Sequence, residues 1–502
     1  MTDISIEESR QTLHDRGICV IIPTYNNVQT IREVVERSLV YCMDVIVVSD
    51  GCTDGTTEIL RSIDGITLVE YPTNMGKGYA LKQGFQKALS MGFAYAITLD
   101  ADGQHYPENI PDFLKANQKY PGTLIVGQRN LEGVVRSKGS SFANKFSNFW
   151  FFVQTGCNLK DTQTGYRLYP LKKLHGLSFL TSRYEAELEL MVFASWNGVK
   201  LKSIPIDVFY PKPEDRVSHF RPVADFARIS VLNTVLCVLA IVYGWPANII
   251  RFLLRLLRTV YSLSFFIITA VFIFTPLLWV YLKIGKVTEK KRENLHKMIY
   301  HYSRFVMIHH GIPGTSFKSV LENKEENFNK PSVIVCNHQS HLDLMCILVL
   351  HPKIVFLTND WVWNSPFYGF IIRNAEYLPV KDGIEAIMPQ LKSLVDRGYR
   401  IAVFPEGTRS QDCSIGKFHQ GAFYIAEKFG LDILPMVIYG PGKVLPKHTY
   451  CLRKSPMQIS IYNRLTQSAL QQIGEIKTQT KNMRHRFIEY YSSMCNKIEQ
   501  DV

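Results

Sequence analysis

Two apolar runs in the middle of the chain constrain everything around them. Ile229 to Ile250 is a stretch of 22 residues without a charge, and Thr259 to Leu282 is another of 24. A membrane-crossing helix needs about 20 such residues, so either run is long enough to span a bilayer. Between them stands Arg251-Phe-Leu-Leu-Arg255-Leu-Leu-Arg258. Arg216, Arg221 and Arg228 precede the pair, and Lys283, Lys286, Lys290, Lys291 and Arg292 follow it. From 216 to 292, eleven Lys/Arg face two acids, Asp225 and Glu289, so nine of the thirteen net positive charges of the chain surround apolar sequence. That pattern points to an anionic membrane surface. Nucleic acid is excluded as a partner, because the charge is not carried on an aromatic-studded or helix-turn-helix surface.

Basic residues flank membrane segments on the cytoplasmic side, and here all three flanks are basic. Two full crossings would leave the three central arginines outside, and one crossing would separate the two ends of the chain. The pattern therefore predicts segments that lie in the interface, or dip in and return at Gly244-Trp245-Pro246 and Thr275-Pro276, on the cytoplasmic face of the inner (cell) membrane. A two-span hairpin is the next reading, and a pair of buried helices in a soluble protein is the third. The stretch divides the 502 residues into 1–228, a hinge at 229–295, and 296–502, and each flank is large enough for its own core. Ten cysteines are scattered without a CxxC pair, which fits a reduced compartment with neither zinc site nor disulfide framework. The polar, acidic amino terminus predicts no secretory leader.

Before the apolar stretch, Cys19-Val-Ile-Ile-Pro-Thr-Tyr-Asn26 is a buried-strand pattern, followed by helical spacing at Ile31, Val34, Val35 and Ser38. A second such strand, Val45-Ile-Val-Val-Ser-Asp50, ends at Gly51 and leads to a helix from about Thr56. Strand, helix, strand, helix at this spacing predicts a parallel α/β sheet, with ligands at the carboxyl ends of its strands, where Asn26 and Asp50 lie. A third strand, Tyr95-Ala-Ile-Thr-Leu-Asp100, runs into Ala-Asp102-Gly-Gln104-His105. Two carboxylates one residue apart, with an amide beyond, suit Mg²⁺ or Mn²⁺ bridging two phosphates; alone, the same residues could be a solvated acidic turn.

Taken together, Pro23-Thr-Tyr-Asn, Ser49-Asp50-Gly, Asn74-Met-Gly76-Lys77-Gly and Asp100-Ala-Asp-Gly-Gln-His resemble an inverting family 2 glycosyltransferase of the GT-A fold, nearest to the polyprenyl-phosphate mannose or glucose synthases. The resemblance covers roughly residues 17–228. It implies that Pro23, Tyr25, Asp50, Lys77 and Asp100 hold a nucleotide sugar, and that Asp102 and Gln104 hold the metal, with Asp102 taking part in the chemistry. Asn26-Asn27 departs from the Tyr-Asn-Glu usual there. Gly127-Gln-Arg129, Asp161-Thr-Gln-Thr-Gly165-Tyr-Arg167 and Arg183-Tyr-Glu185-Ala-Glu187 align with acceptor-facing segments. Arg129 and Arg167 suit a phosphate acceptor, whereas a hydroxyl acceptor needs a base, for which Glu185 or Glu187 is the candidate. Asp215 to Arg221 resembles the mobile basic loop of the family.

After the apolar stretch, Pro331-Ser-Val-Ile-Val-Cys-Asn337 reads as a strand running into His338-Gln-Ser-His341-Leu-Asp343. A histidine with a carboxylate five residues on can form a base and its orienter. Asn337 to Asp343, Phe367-Tyr-Gly369-Phe-Ile-Ile-Arg373, Phe404-Pro-Glu-Gly-Thr-Arg-Ser410 and Ile433-Leu-Pro435-Met-Val-Ile resemble, in order and spacing, the four blocks of the glycerolphosphate/lysophosphatidate acyltransferase family, covering roughly 296–460. The resemblance implies that His338 deprotonates a hydroxyl for attack on an acyl thioester, acyl-CoA or acyl carrier protein, with Asp343 orienting it. Arg373, Glu406, Gly407 and Arg409 would grip the acceptor head group, Pro435 would shape the acyl tunnel, His341 would have no chemical role, and no cofactor is expected. The whole chain thus reads as a membrane-surface enzyme of glycolipid synthesis with two transferase activities, serving a lipid or polyprenyl-phosphate acceptor. The alternative is an acyltransferase whose first domain is a docking module.

Overall fold

The computed structural model describes residues 5–130, 138–174, 176, 181–209, 222–322, 326–366, 369–381, 383–411 and 413–500. The basic loop 215–221 and residues Phe367 and Tyr368 of the second acyltransferase block lie outside the described residues. The chain forms two units, Met1–Arg251 and Phe252–Val502. Residues read as a separate hinge are divided between them, because each end of the apolar stretch has a core to join. Leu232, Leu236 and Ala240 are buried in the first unit, and Leu278 and Leu282 in the second.

The first unit is built on strands β1 (Ile18–Thr24), β2 (Val45–Asp50), β3 (Ile66–Tyr71), β4 (Tyr95–Thr98), β5 (Leu124–Arg129), β6 (Arg167–Pro170) and β7 (Leu201–Ile206), in the order β3-β2-β1-β4-β6-β5-β7. Every residue of β1 and β2 is buried. Cys19, Ile21, Ile46 and Val48 face one core, and Ile18, Val20, Ile22, Val45 and Val47 the other. Period-2 alternation into two cores is why these strands are apolar throughout, and helices such as Ile31–Tyr41 and Lys77–Ser90 supply the covering layers. Four strands of this sheet, β3, β5, β6 and β7, were not read from the sequence, and two of them change the picture. β3 is a half-exposed edge without a continuous apolar run, so the third strand of the sequence reading is the fourth of the sheet. β6 is short, opens on a charge, and runs antiparallel to both β4 and β5, so the sheet is mixed rather than purely parallel.

The second unit has β8 (Phe317–Leu321), β9 (Val333–Cys336), β10 (Ile354–Thr358), β11 (Leu378–Pro379), β12 (Arg400–Val403), β13 (Ile433–Tyr439) and β14 (Met457–Ile461), ordered β11-β10-β12-β9-β13-β14-β8. All neighbours are parallel except β13 and β14. The α/β class expected for both parts is what the two sheets show.

Among the described residues one helix, Ala227–Lys283, is long and apolar enough to cross a membrane, with a mean hydropathy of 2.3. The expected turns at Gly244-Trp245-Pro246 and Thr275-Pro276 are not breaks. Each proline is the second residue of an α-helical segment that follows a π-helical one, Ala240–Gly244 before Pro246 and Ile267–Phe274 before Pro276. A π turn carries one more residue than an α turn, which makes room for a proline that has no N–H and would otherwise clash with the preceding turn.

Candidate active sites

The loops after β1 and β2 are tied together before they meet the rest of the first site. β1 buries Pro23 and ends ahead of the half-buried Tyr25. Asn26 stands at φ 53°, a left-handed conformation asparagine tolerates, and its Oδ1 accepts the Thr53 N–H at 2.8 Å. The Asn-Asn departure thus serves as a loop-to-loop tie. Asp50, buried at the end of β2, accepts the N–H groups of Met75 and Gly76 at 2.7 and 2.9 Å. Its carboxylate draws the 74–78 segment down, and the helix Lys77–Ser90 starts at the next residue.

That brings Lys77 into the centre. Its Nζ lies 2.6 Å from Asp100 Oδ1 and 2.9 Å from Glu187 Oε2. Burial opposes the lysine charge, but the two carboxylates outweigh it and raise the pKa. Burial likewise opposes the Asp100 charge, yet Lys77 and His105 bring it down to about 2. Asp102 goes the other way, pushed up to about 6 by burial and by the neighbouring Asp100. Gln104 meets Asp102 through its backbone N–H at 3.0 Å. His105 is brought down to about 4, chiefly by burial. Glu187 stands in the first turn of the helix Glu185–Trp196, and its Oε1 is buried without a hydrogen-bond partner, as is Oε2 of Glu185.

Lys77 thus faces Asp100, Asp102 and Glu187. The surplus of buried negative charge and the strain on ionising Asp102 fit a divalent cation at Asp102, with Asp100 beside it. Among the described residues no three His, Cys, Asp or Glu side chains form a complete metal shell, so further ligands would have to come from substrate oxygens or water.

Two arginines expected at the acceptor are engaged inside the protein. Arg129 makes a bidentate pair with the buried Asp161, Nε to Oδ2 at 2.7 Å and Nη2 to Oδ1 at 2.9 Å. Arg167 is fully buried and donates to the Glu187 carbonyl (2.9 Å), the Thr162 carbonyl (3.0 Å) and the Tyr169 hydroxyl (3.1 Å). It positions the helix of Glu187 and does not reach an acceptor. The reason is local, since opening β6 with a charge in a sheet interior forces the guanidinium onto nearby carbonyls. Sequence reasoning quoted Gly165 without giving it a role. A Cβ there would lie 2.6–2.8 Å from Asp100 and Lys77, so only glycine admits their close pair. The 730 Å³ cavity beside Arg129 and Asp161 is lined also by Asn109, Gln128, Lys160 and Asp207.

In the second unit, Asn337 clamps the end of β9 to β13, its Nδ2 donating to the Ile438 carbonyl and its Oδ1 accepting the Ile438 N–H. The chain then turns so that His338 Nδ1 meets Asp343 Oδ2 at 2.9 Å. The same oxygen accepts the N–H groups of Gln339 (2.6 Å) and Ser340 (2.8 Å). Three donors on one oxygen of a fully buried carboxylate hold it still, and with Nδ1–H donating to it, Nε2 is left as the basic nitrogen. Phe404 stacks on the imidazole at 4.2 Å and fixes the ring plane; this contact was not read from the sequence.

The expected head-group residues divide. Glu406 has both carboxylate oxygens engaged by backbone donors. Its Oε1 accepts the His338 N–H and its Oε2 the Gly416 N–H, both at 2.9 Å, and burial raises its pKa. A Cβ on Gly416 would sit 2.7 Å from that carboxylate. Gly407 holds φ 66°, which turns the strand end toward His338. Arg373 donates to the Trp363 carbonyl at 2.7 Å. Arg409 is half-buried, its carbonyl accepts from Lys447 at 3.0 Å, and its charge helps lower the pKa of His341, after the larger effect of burial. Pro435 lies buried in β13.

Fold and geometry define an α/β group-transfer protein with two centres, each at the carboxyl ends of parallel strands. The chain belongs to glycosyl transferase family 2, whose family model matches residues 19–173. Polyprenol monophosphomannose synthase of Mycolicibacterium smegmatis is 31% identical over 204 residues, 37% of this chain and 75% of that protein. The UDP-N-acetylglucosamine–dolichyl-phosphate N-acetylglucosaminyltransferase of Methanococcus voltae is 28% identical over 39% of this chain and 87% of that protein. Residues 318–439 match the Acyltransferase family. A chloroplastic 1-acyl-sn-glycerol-3-phosphate acyltransferase of Brassica napus is 35% identical over 25% of this chain, which spans 38% of the length of that relative.

Proposed function

We propose that this chain carries two working transferases at the cytoplasmic face of a cell membrane: one moves a sugar from a nucleotide sugar to a lipid or polyprenyl-phosphate acceptor, with inversion, and the other moves an acyl chain from an acyl thioester to a hydroxyl. The observation that carries the reading is that both polar centres are intact in one chain. A fold kept only for docking would have no use for two half-buried carboxylates one residue apart, Asp100 and Asp102, that disfavour each other's charge, whereas a metal-bound diphosphate leaving group would relieve them.

In the sugar transferase, of GT-A type, Asp102 and Asp100 would hold Mg²⁺ or Mn²⁺, which when bound neutralises charge on the departing diphosphate. Pro23, Tyr25 and the loop held by Asp50 face the nucleotide, and Lys77 orients Asp100 and Glu187 together. Glu187 Oε1, lacking a donor, accepts the proton of a hydroxyl acceptor; a phosphate acceptor requires none. In the acyltransferase, Nε2 of His338 takes the acceptor hydroxyl proton as its oxygen attacks the thioester carbonyl. The C–S bond then breaks, and the proton passes to the departing thiolate. Arg409 and Arg373 lie on the acceptor side. The helix Ala227–Lys283 supports membrane attachment, and acyl-CoA or acyl carrier protein supplies the thioester. The product is an acylated glycolipid or a lipid-linked sugar. The test is a mass comparison of lipid extracts from cells with and without the chain. A species differing by a hexose or N-acetylhexosamine together with an acyl group supports two activities, and a difference of an acyl group alone favours the docking reading.

A further inference from the structure

The second unit brings together arginines from distant parts of the chain, and among the described residues no carboxylate pairs with them. Arg255 and Arg258 are three residues apart on one stripe of the helix Trp245–Phe266, which contains no Asp or Glu. The Leu452 N–H donates to Thr259 Oγ1 at 2.9 Å, which pins the segment carrying Arg453 against this turn. Arg453 and Arg255 come within reach of each other's charge, and burial first, then Arg255, lowers the pKa of Arg453. Gly314 closes the far side: a Cβ there would stand 3.1 Å from Arg258 Nη2. Arg258 Nε is buried without a hydrogen-bond partner. Like charges gathered in this way oppose the fold unless an anion joins them, and guanidinium forks match the paired oxygens of a phosphate. Around the cluster the helix leaves Leu253, Leu254, Leu257 and Val260 exposed, and Tyr450 is 85% exposed.

We propose that Arg255, Arg258 and Arg453 bind the phosphate of an anionic phospholipid headgroup in the bilayer, with the exposed leucines of the same helix against its acyl chains. The site rests on the membrane attachment proposed above and adds to it a lipid class and a place. It also lies close to the chemistry. The Arg453 N–H donates to the Val444 carbonyl at 2.8 Å, and the next carbonyl, of Leu445, accepts from Ser340 Oγ at 3.0 Å. Ser340 belongs to the turn that holds Asp343, so a headgroup bound at the arginines seats the acyl-transfer centre at the membrane surface.

The experiment is flotation of the full chain with vesicles of phosphatidylcholine alone, or mixed with phosphatidylglycerol. The wild type should bind the anionic vesicles on the order of tenfold more tightly. Arg255→Gln/Arg258→Gln/Arg453→Gln should lose that preference, whereas Lys318→Gln/Lys428→Gln/Lys477→Gln, which removes equal charge from exposed positions elsewhere, should keep it. An arginine variant that keeps the preference, or a lysine variant that loses it equally, overturns the site. Should the triple arginine variant fail to fold, Arg453→Gln alone must lower the preference about threefold, and an unchanged preference overturns the site. Wild-type protein that floats equally with both vesicles overturns the arginine site but leaves membrane attachment standing; if it floats with neither, both fall.

Discussion

The two centres occupy equivalent places, the carboxyl ends of parallel strands, yet treat buried carboxylates in opposite ways. In the first unit Asp100 and Glu187 converge on one lysine, Asp102 stands beside Asp100, and an oxygen of Glu187 is left without a donor. In the second, among the described residues no lysine or arginine pairs with them: Asp343 Oδ2 and both oxygens of Glu406 are held by backbone N–H groups and by one imidazole, while Asp343 Oδ1 is left without a partner. A carboxylate whose partners are fixed backbone donors and an imidazole is spent on orienting a neighbour. A surplus of carboxylates keeps an appetite for cations. The difference underlies the proposal that the first site takes a metal and the second works by proton transfer.

The sharpest way to break this contrast is to remove the cation. Chelation or Asp102→Ala should lower sugar transfer by several kcal/mol of transition-state stabilisation, on the order of a thousandfold or more, and leave acyl transfer intact; equal loss of both activities would end the distinction. The mirror experiment is His338→Ala, which should reduce acyl-transfer kcat by a factor on the order of 10²–10⁴ with little change in acceptor KM. Asp343→Asn should fall near it, and sugar transfer should be unchanged in both.

Acid should weaken the second unit through a buried histidine in the same window as the first, where His105 is likewise brought down to about 4. His296, buried beside Tyr377 and Tyr399, is held down to about 4 from an ordinary 6.5, chiefly by burial. It binds its proton more weakly folded than unfolded, so its contribution is full above pH 6.5 and is lost as pH falls through about 4. The loss is on the order of 3 kcal/mol, and thermal melts of His296→Leu should show a smaller decline across that window than wild type. The smallest effect expected is in Arg409→Ala, a roughly tenfold rise in acceptor KM with kcat nearly kept; a fall in kcat alone would move Arg409 from binding to chemistry.

Much of this was legible because the informative residues are neighbours in sequence. His338 and Asp343 share one turn, and Asp100 and Asp102 one loop, so spacing suggests their chemistry and the ordered motifs around each pair made it legible. The apolar runs of β1, β2 and β9 likewise announce strands covered on both faces. What could not be read depends on partners far along the chain. Arg129 looks like a phosphate ligand until Asp161 is seen to fill its fork, and Arg167 until β6 is found inside the sheet. Glu406 sits beside Gly407 and Arg409 in sequence, yet its oxygens belong to His338 and Gly416.

The sequence by itself determined the kinds of chemistry, the α/β class of both parts and the basic, apolar middle, since these follow from residue type, period and local spacing. Only the tertiary structure decided which charges are already neutralised, that prolines 246 and 276 ride on π turns within one helix, and that Arg453 comes within reach of Arg255. The physical reason is that a charge's role depends on what lies within a few ångströms of it, and in a buried site that company is assembled from segments tens to hundreds of residues apart.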